Sequence, residues 1–160
     1  MQITSEQRAA LSALITAELN MAKGMLELLT NEHALLTKGD PDAIKSISKQ
    51  KLEHMQLMEQ NISGRNQFLR SLGLTSDEQG LEKAVATMED RTLSATWDEL
   101  KSTAKQLKKQ NEINGGIITL GQRRVKQALD ILSGKENLTG TYSQQGETQF
   151  STSNNLHTKA

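Results

Sequence analysis

At 160 residues the chain is one domain by length, and its 19 basic residues balance 19 acidic ones, so no net field recruits nucleic acid or an anionic membrane. Only 35% of residues are hydrophobic and 2% aromatic, low for a globule and normal for helices that each bury one stripe. Cysteine is absent, which removes disulfides, thiol catalysis and cysteine-type zinc sites together. The opening residues carry no secretory pattern and no apolar run nears the ~20 residues of a membrane span, so a soluble, cytoplasmic protein without membrane insertion is expected.

The spacing predicts a first helix over 5–38. Thr4 can cap its first turn while Gln7 reaches back, and Gly39 stops it. Its apolar stripe is Leu11, Leu14, Met21, Met25, Leu28 and Leu35, interrupted by Glu18 and Glu32 and widened by Ile15, Ala22, Leu29 and Leu36. Asp40 and Pro41 then suit the cap and first position of a second helix over 41–72, so the connection reads as a tight antiparallel reversal.

The second helix carries Ile44, Ile47, Met55, Met58, Ile62, Leu69 and Leu72, again with two charges in the stripe, Lys51 and Arg65. In an antiparallel pair, facing residues share one index sum, and Glu32 with Lys51 and Glu18 with Arg65 share the same sum, 83. Two interhelical ion pairs two heptads apart are therefore expected. Their value is register, because the desolvation cost of a buried pair can exceed its attraction.

A short third helix over 77–88 presents Leu81, Val85 and Met88, and a second reversal comes at Glu89 to Thr92. The fourth helix, 92–133, holds the longest seam: Leu93, Trp97, Leu100, Ala104, Leu107, Asn111, Asn114, Ile118, Gly121, Val125, Ala128 and Leu132. Steps of four and three without a break are the mark of coiled-coil packing. Asn111 and Asn114 are read as structural seam residues that fix register, since a buried amide needs partners. After Ser133 the chain turns rich in Ser, Thr, Asn, Gln and Gly, too polar to fold alone. The fold expected is all-α: an elongated antiparallel helical bundle over 1–133 with coiled-coil-like packing, and a flexible C-terminal tail over 134–160.

No nucleophile, acid–base pair or phosphate loop stands out, so no enzyme activity and no cofactor are expected. His33 beside Glu32 could meet His54 across the hairpin, but no third ligand clusters nearby and no metal site is assigned. Lys101, Lys105, Lys108 and Lys109, with Arg123, Arg124 and Lys126, read as a solvated face, because the aromatic stacking partners that single-stranded RNA needs are missing. Met21, Met25, Met55 and Met58 read as core filler. Gly115 and Gly116 each cost roughly 1 kcal/mol inside a helix relative to alanine, so the pair needs a reason, either a kink, a close approach or a function.

The fourth helix and the polar segment after it resemble the FlgN-type flagellar export chaperones. The resemblance lies in Trp97 and Leu100, in Leu107, in the N-x-x-N-G pattern of Asn111, Asn114 and Gly115 backed by Ile117 and Ile118, and in Ala128 and Leu129. Tyr142, Gly146 and Thr148 are similar to the family's YGxxGxT segment, with Ser143 where glycine is common. Glu32, Asp40 and Lys51 also fit. The resemblance implies a chaperone that binds hook-filament junction proteins through their C-terminal helical segments and passes them to the export gate, without catalysis or nucleotide. It further implies that Tyr142 docks on the gate's cytoplasmic domain.

Ile113, Ile117, Leu120, Ile131 and Leu138 exceed what one narrow seam requires and form the expected client-binding surface. Tyr142 sits in a segment with no local core to join, which suits a docking anchor; the alternative is a staple that folds back onto the bundle. The competing class is a structural coiled-coil adaptor or oligomerisation module, and homodimerisation is compatible with these seams.

Overall fold

A computed structural model describes residues 3–132 and contains only helices among them: α1 (Ser5–Lys38), α2 (Pro41–Ser71), α3 (Glu78–Met88) and α4 (Arg91–Leu132). The chain divides into two units, Met1–Gln122 and Arg123–Ala160, and the core belongs to the first.

Each boundary has a local cause. The Thr4 hydroxyl accepts from Gln7 N at 3.1 Å while the Gln7 side chain accepts from Thr4 N at 2.9 Å, a reciprocal capping box. Gly39 closes α1 in the left-handed region at φ 73°, and Asp40 Oδ1 accepts from the Asp42 and Ala43 amides to open α2. At the far end of α2, Leu74 N donates to Leu69 O and Gly73 N to Arg70 O, the paired bonds that satisfy a helix's last carbonyls. Asp77 caps α3 by accepting from Gly80 N at 2.8 Å. Asp90 likewise accepts from the Thr92 and Leu93 amides as α4 begins.

The core sits where all four helices meet. Leu11, Ile15, Leu19 and Ala22 of α1, Leu69 of α2, Leu81, Ala84, Val85 and Met88 of α3, and Leu93, Trp97 and Leu100 of α4 form one buried cluster. Both expected ion pairs are present between α1 and α2. Lys51 Nζ lies 2.8 Å from Glu32 Oε2, and Arg65 Nη1 lies 2.6 Å from Glu18 Oε1. They set α2 antiparallel to α1. α4 runs parallel to α1, since Glu99 pairs with Lys23 and Asn114 reaches Leu29 and Glu32 farther along.

Two expectations require correction. Asn111 is exposed; it lies one row away from Asn114, on a side of α4 that no helix among the described residues covers. Ala104 and Ile118, in the same row, are exposed too, while Thr103 is buried and Gln110 half-buried in their stead. Met55 is not core filler. It is 47% exposed, because α3 is too short to reach its level. A Cβ built on either member of the glycine pair, Gly115 or Gly116, finds no atom of the described residues within 4 Å.

Candidate functional site

Asn114 is the polar hinge-pin of the upper bundle. Its side-chain amide is 1% exposed, and Nδ2 donates to Leu29 O at 2.8 Å and to Glu32 Oε1 at 2.9 Å, while Oδ1 accepts from Gln110. Because Glu32 also accepts from Lys51, one carboxylate ties α1, α2 and α4 together at a single level. Desolvation is offset only if every member is paired, and here it is. At the lower level, burial pushes the Glu18 carboxyl above its usual range, and the Arg65 guanidinium bonded to it opposes that shift only in part.

His54 does not join His33 and Glu32 as a metal ligand. Its Nε2 is committed to Met21 O at 2.6 Å, and a Cβ on Gly24 would fall 2.9 Å from its ring, so Gly24 makes room for the imidazole against the α1 backbone. A mid-helix glycine opposite a histidine was the available signal for this contact. No group of three potential metal ligands occurs among the described residues.

The apolar surface left over lies mainly on α4 and α2. Ile113 is 41% and Leu120 46% exposed, and they share one side of α4 with Ile117, which is half-buried. In the second unit Ile131 is 71% exposed. Leu138 and Tyr142 lie outside the described residues. On α2, Leu52 and Leu57 are exposed in addition to Met55, and periodicity missed the first two because they fall off the stripe. Lys105 and Lys108 are exposed, whereas Lys101 is engaged by Glu82 and Asp98 and lies 5.4 Å over the Trp97 ring.

Apolar stripes left exposed on a helical frame, with polar junctions locking the register, are the kind of surface on which an amphipathic helix docks. The FlgN protein family model matches residues 1–149, and the chain belongs to the FlgN family of flagellar export chaperones. Neither a curated protein nor a solved structure matches the chain. The family is a chaperone family rather than an enzyme family, its members bind flagellar hook-associated proteins, and among the described residues no helix is long and apolar enough to cross a membrane.

Proposed function

We propose that this chain is a cytoplasmic type III export chaperone that binds the C-terminal helical segments of hook-filament junction proteins. It keeps them soluble and delivers them to the export gate. The observation that carries this reading is the stripe of Ile113, Ile117 and Leu120, whose outer members remain exposed on a helix already held in place through the row of Leu93, Leu100, Leu107 and Asn114. Junction-protein segments of this kind are amphipathic, and a chaperone that occupies their apolar side beforehand prevents premature self-association. Ile131 and Leu138 extend the client-binding set, and Tyr142 docks on the gate's cytoplasmic domain.

The test is co-elution of the purified chain with a junction protein. A chaperone forms a soluble complex, whereas a structural coiled-coil adaptor or a homodimerisation module ignores the client. Delivery is tested separately. Tyr142→Ala should keep client binding and lose recovery of the gate's cytoplasmic domain in a pull-down; recovery equal to wild type removes Tyr142 from that role.

A further inference from the structure

The seam of α4 is two rows at seven-residue spacing, and the bundle fills them unequally. Leu93, Leu100, Leu107 and Asn114 are covered along the whole row, all buried except Leu107, which is half-buried. In the other row Trp97 is buried, but Ala104, Asn111 and Ile118 are exposed. The difference is α3. It packs on Trp97 through the shared core and through the Glu82–Lys101 pair, and with 11 residues against 42 in α4 it covers one heptad and stops.

The same step appears on α2. Leu69, Ile62 and Met55 share one row at seven-residue spacing, and their burial falls from complete, through partial, to 47% exposed. Leu52, one turn farther on, is 57% exposed. Leu69 shares one buried cluster with Leu81, Ala84, Val85 and Met88 of α3, and the backbone carbonyl of Asn66, in the row of Leu52, accepts from Ser76 in the segment leading into α3, so these two adjacent rows lie on the side of α2 where α3 sits. α2 and α4 thus form the two walls of a trough. It begins as a groove of about 720 Å³ at the N-terminal end of α3, lined by Arg65, Asp77, Trp97, Ala104, Lys105 and Lys108 among others. It ends at the level of Lys51 and Asn114, which share the Glu32 carboxylate. From Arg65 to Lys51 that is 14 residues of helix, about 21 Å.

We propose that this trough is the seat of a partner's amphipathic helix of about four turns, lying antiparallel to α4 as a continuation of α3. The proposal rests on the chaperone reading and adds to the Ile113–Leu120 stripe a second surface for the client, named with its chemistry. The α2 wall, Leu52, Met55 and Ile62, takes the apolar stripe. The α4 wall offers Ala104, Asn111 and Gly115, small or polar residues over which a helix approaches closely, and a Cβ on Gly115 would meet nothing. Charge sets the helix's rotation: Lys105 and Lys108 carry no ion pair among the described residues, and Glu59 stands on the opposite wall. The partner therefore places acidic residues along the edge facing α4 and none along the edge facing α2, repeating what Glu82 does for Lys101.

Because the chain has no cysteine, a bimane label at Ala104→Cys reports on the trough, with Ala9→Cys, exposed on α1, as control. A purified junction protein should shift and quench the Ala104 probe and leave the Ala9 probe unchanged. Lys105→Glu with Lys108→Glu should weaken binding at least tenfold at low salt, with helicity unaltered, and Lys substitutions at the client's acidic edge should restore it. Leu52→Asp should weaken binding comparably. If the wild-type chain binds the client while the charge-reversed and Leu52 variants bind equally well, the seat is overturned and the chaperone reading stands. If the wild-type chain binds no junction protein, that reading fails and this occupant with it. A probe response that follows the chain's own concentration without client assigns the trough to a second copy and also overturns the proposal.

Discussion

Asn114 Nδ2 donates to Glu32 Oε1 at 2.9 Å across 82 residues of sequence, and the same carboxylate holds Lys51. Removing one member of such a buried set leaves the others unpaired, which costs more than the net worth of the bond. Asn114→Ala should lose about 1–3 kcal/mol in urea unfolding. Lys51→Met should cost about 3–5 kcal/mol, because it leaves Glu32 charged and buried. The double substitution Lys51→Met with Glu32→Leu should recover most of that loss, a coupling read by a double-mutant cycle.

The second ion pair carries a pH signature. The folded state holds the Glu18 proton more tightly than the unfolded chain, since burial raises its carboxyl above the usual value. Its contribution to stability is therefore present below the unfolded value and lost as pH rises through the raised one, the reverse of an ordinary paired carboxylate. Glu18→Gln lacks this proton. Its stability relative to wild type should rise between pH 4 and pH 7 in parallel denaturant titrations, and a constant or falling difference would contradict the burial argument.

The hairpin was legible because its determinants are local or follow one arithmetic rule. The Thr4 and Asp40 caps, the Gly39 stop and the charge register are each readable from a few residues. The surroundings of α4 were not legible in the same way. Its heptads run on past the end of α3, and periodicity marks which rows suit a partner without showing whether the chain supplies one. Ala104 and Asn111 therefore looked like seam, and only the length of α3 leaves them bare. The Gly115–Gly116 pair was ambiguous for the same reason, since a glycine's purpose depends on what lies beside it.

Two glycines on this chain should respond oppositely to alanine. A Cβ on Gly80 would stand 1.9 Å from Thr75 O, so Gly80→Ala must displace the backbone that leads into α3. A loss of about 1–3 kcal/mol is expected, with earlier hydrogen exchange in α3. Gly116 is exposed and helical, and a Cβ there meets no atom of the described residues within 4 Å. Gly116→Ala should raise stability by about 0.5–1 kcal/mol through the unfolded-state entropy it removes.

The stripe on α4 separates binding from folding within a few residues. Ile113 and Leu120 are 41% and 46% exposed, so an aspartate at either position places its charge in water and should change stability by no more than about 0.5 kcal/mol. Ile117 is half-buried, in the row of Thr103 and Gln110, and an aspartate there is partly desolvated and unpaired. Ile117→Asp should therefore lower the melting temperature, whereas Ile113→Asp with Leu120→Asp should leave it within a few degrees. If the stripe contacts the client, that double variant should lose about 2 kcal/mol or more of binding, roughly thirtyfold in Kd. Titration of a junction protein against both variants, alongside thermal unfolding followed by circular dichroism, measures the two effects independently. Client affinity equal to wild type in the double variant would remove Ile113 and Leu120 from the binding surface.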